Sequence, residues 1–310
     1  MTKRIALTGA TGFVGRHLLK ELLSHGFKVN ALTRRQQQKL TNVRWISGDL
    51  QNKSALAELV NDADVVINVA GLVKAKSKSD FFKINADAVT DLLDAIDASE
   101  RNPEVIQISS LAAKESQFSS YAKSKFRGEE FLRNRPNLNW IIIRPPGIYG
   151  PDDSETLKIF KMLIWRIALF PGSRKNRVSW IHVTDLVVAI RILIGKEEYY
   201  SKLIEVDDGS ENGYSHEEFY SISSDILGVR PIKLTIPKSI LKIGGHINDI
   251  FGRIFGYAPM VSAMKVNELC HDNWVCDKEL KIEPNDWAAK HNLESGLKET
   301  LDWYKNNEYI

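Results

Sequence analysis

The stretch SSLAAKESQFSSYAKSK, residues 109 to 125, carries side chains suited to proton transfer at a carbon-bound oxygen. Tyr121 stands four residues before Lys125, so on a helix both side chains share one face. An unperturbed tyrosine, with a pKa of about 10, is a poor acid or base near neutrality. A neighbouring ammonium favours the phenolate and brings it into range, and an oxidised nicotinamide would act in the same sense. Ser110 lies eleven residues before the tyrosine, at the end of the apolar run VIQIS. Its hydroxyl can hydrogen-bond the substrate oxygen that Tyr121 protonates or deprotonates. Many helices contain Tyr-x-x-x-Lys. This one is distinguished by the order of elements around it: Ser119 or Ser120 caps a helix that follows a strand, and that strand lies downstream of a glycine-rich turn.

That turn is TGATGFVG, with Gly9, Gly12 and Gly15 spaced Gly-x-x-Gly-x-x-Gly and Thr11 and Phe13 between them. It follows the compact apolar run RIALT and opens the helical pattern VGRHLLKELLSHG, which Gly26 ends. Glycine suits such a turn because the backbone must bend tightly and approach a pyrophosphate without Cβ atoms, offering helix N-terminal N–H groups to it. The next strand runs into ALTRRQQQK. A site selective for NAD usually places an acid there to hold the ribose 2′-hydroxyl. Here Arg34 and Arg35 stand instead, and a guanidinium can grip a 2′-phosphate through forked, charge-assisted bonds. The expected cofactor is therefore NADP in preference to NAD.

These residues need a scaffold, and the first half supplies one. KVNALT, VRWIS, DVVINVA, EVIQIS and NWIIIRP are further strand patterns, mostly separated by helical ones, which predicts an α/β fold with a parallel, doubly wound sheet covered on both faces. With 310 residues, 43% of them apolar, the chain can bury a sizeable core. A net charge of +3 with interspersed signs gives no basic arm for nucleic acid. Two cysteines, Cys270 and Cys276, are too few for a disulfide scaffold, and the N-terminus reads as a first strand instead of a signal peptide. No apolar run reaches the ~18 residues needed to span a bilayer. A cytoplasmic location and no membrane partner are the expectation.

The chain resembles the extended short-chain dehydrogenases/reductases, the NAD-dependent epimerase/dehydratase group. The matching residues are TGATGFVG, GDL at 48 to 50, NVAG at 68 to 71, Asn85 within FFKINADAVTDLLDA, the serine pair at 109 and 110, YAKSK, RPPGIYGP at 144 to 151 and WIHVTDLVVAI at 180 to 190. The resemblance implies a Rossmann-type sheet with a smaller C-terminal α/β substrate domain. It implies Ser110, Tyr121 and Lys125 as the catalytic set, Asp49 and Leu50 beside the adenine, and Ala70 and Gly71 along the cofactor cleft. Asn85 would lie near the nicotinamide ribose or a proton relay, and Pro145 and Ile148 beside the nicotinamide. A homodimer through the helices carrying Tyr121 and Asn85 is also implied. Two features depart from nucleotide-sugar epimerases of the group: the gap between Ser110 and Tyr121 is shorter, and Val178 stands where those enzymes tend to carry a diphosphate-binding arginine, with Arg177 one step away. The leading expectation is thus an NAD(P)-dependent oxidoreductase acting on a small molecule with a hydroxyl or carbonyl group. The alternatives are a redox-neutral nucleotide-sugar epimerase or dehydratase that holds NAD tightly, and a non-catalytic dinucleotide-binding sensor or assembly protein.

The expected division assigns residues 1–150 with about 178–208 to cofactor binding, and 151–177 with 209–310 to the substrate. In the second half, SETLKIFKMLIWRIALFPG reads as one helix ending at Pro171-Gly172, and RVSWIHVTDLVVAIRILIG and LIEVDDG as a return to the main sheet. SILKIGGHINDIFGRIFG has one apolar helical face, with Lys238, Lys242 and Arg253 off it. A helix packed on its domain, a lid over an apolar substrate and a membrane-surface helix all fit that pattern, and packing, the commonest arrangement, is the expectation. CHDNWVC lacks a second Cys/His pair at zinc spacing, so no metal is expected there. His182 reads as structural, and Arg174, Lys175 and Arg177 as either an anion-facing group or a solvated loop.

Overall fold

The computed structural model describes residues 3–255 and 265–310. The chain divides into two compact units, Met1–Arg144 with Val187–Ile204, and Pro145–Leu186 with Glu205–Ile310. In the first unit the elements are β1 (Arg4–Thr8), α1 (Phe13–Ser24), β2 (Lys28–Thr33), β3 (Val43–Ser47), α2 (Lys53–Val60), β4 (Val65–Asn68), α3 (Lys78–Phe82), α4 (Ala88–Asp97), β5 (Glu104–Ile108), α5 (Ser120–Arg133) and β6 (Trp140–Arg144). The strands line up in the order β6-β5-β4-β1-β2-β3, and each neighbouring pair among them is parallel.

Why these runs form central strands is plain from their composition. Residues of β4, β5 and β6 are buried without alternation, as expected where helices cover both faces of a parallel sheet. One core layer is built from Leu56, Leu59 and Val60 of α2, Val89, Leu92, Leu93 and Ile96 of α4, and sheet residues Ala6, Val66, Val105 and Ile142. Each fully buried side chain of this size contributes roughly 1.5–3 kcal/mol of transfer free energy. Because β1 lies between β2 and β4, the chain first builds the sheet to one side and then crosses to the other. That reversal leaves a crevice at the carboxyl ends of β1 and β4, the place where open α/β sheets take ligands.

The segment FFKINADAVTDLLDA is not one regular helix. Between α3 and α4, Lys83–Asp87 winds as a π-helical turn, with Asn85 buried in it. The second unit contains β7 (Gly147–Tyr149), α6 (Ser154–Ile164), β8 (Ile167–Pro171), β9 (Arg177–Val178) and β10 (Trp180–His182), followed by α7 (Val183–Ile192), whose second half belongs to the first unit. The chain then completes the first unit with β11 (Lys202–Glu205), which flanks β6 as the seventh strand of the main sheet, and the second unit resumes with β12 (Tyr214–Ser215), α8 (His216–Leu227), β13 (Ile232–Ile236), α9 (Lys238–Phe255), α10 (Lys265–Leu269), β14 (Asn273–Trp274) and α11 (Leu293–Asn306).

Three expectations for this half are corrected. The expected helix 154–172 stops at Ile164: Arg166 adopts a positive φ of 59°, and Ile167–Pro171 becomes a strand paired in parallel with β13. An apolar run alone does not distinguish a buried helix turn from a strand. WIH pairs with β7 in a two-stranded sheet of its own, so only β11 rejoins the main sheet. The apolar face of α9 is exposed among the described residues instead of packed.

Candidate active site

The glycine turn takes its shape from three close approaches. Gly9 has a φ of +72°, and a Cβ there would lie 2.7 Å from the Ala70 nitrogen. A Cβ on Gly15 would fall 1.9 Å from the Gly9 carbonyl oxygen, which also accepts a 2.9 Å hydrogen bond from the Gly12 amide. Gly12 caps α1 without a side-chain acceptor, so no cap side chain bonds the first-turn N–H groups of that helix. Together the turn is bare of Cβ atoms and presents amide donors with the positive end of a helix dipole, which fits a dinucleotide pyrophosphate. Thr11 is exposed there and Phe13 half-buried.

Beneath the turn lies a buried polar chain that local sequence did not reveal. Thr8 donates to Asn68 Oδ1, Asn68 Nδ2 donates to Gln107 Oε1 at 2.8 Å, and the Ala70 amide donates to Thr8 Oγ1 at 3.2 Å. These bonds fasten the carboxyl ends of β1, β4 and β5 side by side. Their sequence signal is a polar residue at or next to the carboxyl end of each strand's apolar run.

Along the same edge, the parallel order β3-β2-β1-β4-β5 brings Asp49 and Leu50, Arg34, the glycine turn, Ala70 and Gly71, and Ser110 into one row. Asp49 is exposed and accepts the Gln51 amide at 2.9 Å, while Leu50 leans on the core. Arg34 is exposed beyond β2, and its guanidinium bonds no other side chain among the described residues. Pro145 and Ile148 belong to the second unit.

Ser110 caps the short 3-10 helix Leu111–Glu115, its Oγ accepting the Ala112 amide at 3.2 Å. Ser119 caps α5 in the same manner, accepting the Ala122 amide, so Tyr121 sits in the first turn, half-buried and edge-on to Phe81 at 6.0 Å. Lys125 is only 6% exposed, and its Nζ donates to the Ile108 carbonyl at 2.7 Å, two residues before Ser110. Burial pulls its pKa down to about 8, and the Glu129 carboxylate one helical turn on opposes that shift. Gly71 adjoins this group: a Cβ on it would lie 3.3 Å from both Lys125 Nζ and Asn85 Oδ1.

Asn85 is fixed on every side. Its Oδ1 accepts the Leu72 amide at 2.7 Å, and its Nδ2 donates to the Leu72 carbonyl and to Ser124 Oγ, both at 3.0 Å. Ser124 in turn donates to the Tyr121 carbonyl at 2.7 Å. The π-helical turn and α5 pack so closely that a Cβ on Gly128 would lie 2.4 Å from the Asn85 carbonyl oxygen. A glycine in a helix interior costs about 1 kcal/mol relative to alanine, so Gly128 was itself a legible signal of close approach.

The rotation of α5 is set by Glu129, which is fully buried. It takes two bonds from Arg144, at 2.8 Å from Nε and 2.7 Å from Nη2, one from Ser109 Oγ and one from Arg133 at 3.0 Å. This network ties α5 to the ends of β5 and β6, and so holds Lys125 over the end of β5.

The remaining candidates lie outside the row just described and are bonded within the fold. Arg177 donates to the Asn212 and Gly213 carbonyls at 2.7 and 2.9 Å, and Arg174 to Thr235 Oγ1 and the Lys233 carbonyl, both at 3.1 Å. His182 is buried with Nδ1 2.7 Å from Thr184 Oγ1. His182, His291 and Glu299 place ligand atoms within 4.8 Å of one another, but His291 already bridges Asp185 and Glu299 through its two nitrogens. Cys276 is buried, and its thiol is pushed up by burial.

Comparison with known proteins follows the same outline. The model of the NAD dependent epimerase/dehydratase family matches residues 5–202. The ceramide reductase of Caulobacter vibrioides is 32% identical over 305 residues, covering 97% of this chain and 94% of that protein. The N-acetyl-α-D-glucosaminyl-diphospho-ditrans,octacis-undecaprenol 4-epimerase of Escherichia coli O157:H7 is 24% identical, covering 98% and 96%. Among solved structures, MoeE5 in complex with UDP-glucuronic acid and NAD superposes with a TM-score of 0.73 at 19% identity, over 98% of this chain and 99% of that one. The glycine cradle, the doubly wound sheet and the extent of these matches lead to one assignment: the chain belongs to the NAD-dependent epimerase/dehydratase family of the extended short-chain dehydrogenases/reductases.

Proposed function

We propose that the protein is an NAD(P)-dependent oxidoreductase acting at a hydroxyl-bearing or carbonyl carbon, with Tyr121 as acid/base. The observation that carries this reading is Lys125, a lysine buried at the end of β5 one helical turn from Tyr121. Burying an ammonium costs free energy, as its depressed pKa records. A lysine whose role was only to pack would gain nothing from that cost.

A bound nicotinamide dinucleotide supplies the hydride donor or acceptor, and the chain's own residues handle everything else. The glycine turn and the α1 N-terminus would hold the pyrophosphate, with Thr11 and Phe13 beside it, Asp49 and Leu50 the adenine, and Ala70, Gly71 and Asn85 the nicotinamide half. The Lys125 ammonium lowers the pKa of the Tyr121 phenol. Tyr121 gives its proton to the substrate oxygen in reduction and takes it back in oxidation. Ser110 donates a hydrogen bond to the same oxygen and fixes its position. Arg34, exposed where an NAD site would carry an acid, favours NADP through its 2′-phosphate. The name of the 32% identical relative, a ceramide reductase, supports net reduction. The name of the Escherichia coli relative supports the alternative, a redox-neutral epimerase that retains NAD.

One experiment tests both chemistry and cofactor. Any dinucleotide released on denaturation is identified, and the stripped wild type and Tyr121→Phe are titrated with NADPH and NADH and assayed for carbonyl reduction. The expected results are an empty site, preference for NADPH, and a loss of about 10²–10⁴-fold in turnover in the variant with cofactor affinity unchanged. Wild-type turnover in Tyr121→Phe would remove the proposed role, and stoichiometric bound NAD would select the epimerase.

A further inference from the structure

Helix α9 is mounted with its faces reversed. A surface helix ordinarily turns its apolar stripe to the core and its polar side to water. In α9 the apolar residues Ile240, Ile243, Ile247, Ile250, Phe251 and Phe255 recur at three- and four-residue steps and so form one stripe, yet they are between 47% and 70% exposed. The opposite stripe, Leu241, Gly245, Asn248 and Gly252, faces inward: the two glycines are buried and the other two residues half-buried. The helix therefore approaches its neighbours, α10 among them, through a narrow glycine-bearing side, and its widest apolar face is left outward.

The strand that precedes α9 also carries exposed apolar side chains. Ile232 and Leu234, two residues apart on β13, are both exposed, and Pro237 joins that strand directly to α9. Trp165, 76% exposed, adjoins Arg166, whose carbonyl accepts the Ile232 amide at 2.8 Å. Charge at the start of α9 is basic. Lys238 opens the helix and Lys242 follows one turn on, the first turn has no acid, and Asp249 is the one acid within Lys238–Phe255, while Lys233 on β13 is paired with Glu217 at 2.8 Å. Lys238 and Lys242 are exposed.

We propose that α9, with the adjoining edge of β13, is the surface by which the protein docks on an anionic lipid bilayer. The apolar stripe enters the boundary between headgroups and acyl chains, and the flanking lysines meet lipid phosphates. Trp165 suits the same interface, where one part of the side chain is apolar and the other wet. The helix lies in the plane of the surface, for among the described residues no helix is long and apolar enough to cross a membrane. Charge selects a bilayer over a second copy of the chain. Two copies face to face would bring like charges together, whereas an anionic leaflet complements them.

Docking is measured without turnover, so it stands or falls apart from the redox reading. The full chain is floated with vesicles of phosphatidylcholine containing roughly 30% phosphatidylglycerol, and with phosphatidylcholine alone. The wild type is expected to float with the anionic vesicles and to release as salt is raised. Ile243→Gln/Ile250→Gln, which keeps helix propensity, is expected to lower the partition coefficient about tenfold or more. Lys238→Glu/Lys242→Glu is expected to abolish the preference for anionic lipid. Circular dichroism of each variant confirms its fold. Failure of the wild type to float, or equal flotation of the apolar variant, overturns the proposal. So does a wild-type dimer, seen by light scattering, that Ile243→Gln/Ile250→Gln dissociates in the absence of any vesicle binding.

Discussion

Helices α5 and α9 each break the burial rule, in opposite directions. α5 buries polar groups: Ser124 and Glu129 are inaccessible and Lys125 nearly so. α9 exposes isoleucines and phenylalanines that an ordinary helix would hide. The two departures differ in how they are compensated. Every polar group that α5 takes inside finds a partner within the fold, Lys125 at the Ile108 carbonyl, Ser124 at Asn85, and Glu129 at Arg144. The stripe on α9 finds none among the described residues. A compensated exception positions chemistry inside the molecule, and an uncompensated one points to something outside it.

The largest effect should come from breaking the compensation in α5. Replacing Glu129 with Gln takes the Glu129 carboxylate away from buried Arg144 and removes one acceptor from a network that also serves Ser109 and Arg133. Removing one partner of a buried ion pair costs about 3–5 kcal/mol. Urea denaturation of Glu129→Gln is expected to show a loss of that order. A loss below about 1 kcal/mol would mean that the network does not set the position of α5.

A subtler test uses the pH dependence of stability. The folded-state pKa of Lys125 is about 8, against an ordinary value of 10.5. Below pH 8 both folded and unfolded chains hold the proton, and the folded state bears the full cost of the buried charge. Between pH 8 and 10.5 the unfolded chain binds more protons, so the Lys125 contribution makes the protein more stable as pH rises. The sign is opposite to that of a lysine gaining an acidic partner. Measured from about pH 7.5 to about pH 10, the wild type should gain stability relative to Lys125→Met along this window. Parallel curves for the two proteins would show that the lysine is not desolvated in solution.

Local spacing made part of this site legible. The glycine turn and Tyr121-x-x-x-Lys125 could be read because each works within one turn or one helical step, and the parallel, doubly wound sheet followed from the alternation of strand and helix patterns. The buried chain Thr8–Asn68–Gln107 and the Glu129–Arg144 pair could not, since their members come from separate strands and helices and meet only through topology. IWRIALF was misread because its apolar content suits helix and strand equally, while the break at Arg166 depends on a positive φ that no residue type announced. For α9 the periodicity was correct and the orientation was not. A hydrophobic period fixes where the apolar stripe lies on a helix, but not which side of the helix meets the body. Gly245 and Gly252, aligned on the other side, were the available sign of close packing there.

The smallest expected effect is the most discriminating for α9. A core leucine on α5, Leu132, is fully buried, and Leu132→Ala should cost about 2–5 kcal/mol. Ile243→Gln and Ile250→Gln, on residues 62% and 55% exposed, should each change stability by no more than about 0.5 kcal/mol in the absence of lipid. Chemical denaturation of the three variants side by side makes the comparison direct. The stripe then contributes little to folding, and its apolar character has to be accounted for by a partner. A loss above about 1 kcal/mol for either glutamine would show that the face is already covered in the lipid-free protein. In that case the contrast between the two helices disappears, because both would be compensated within the assembled molecule.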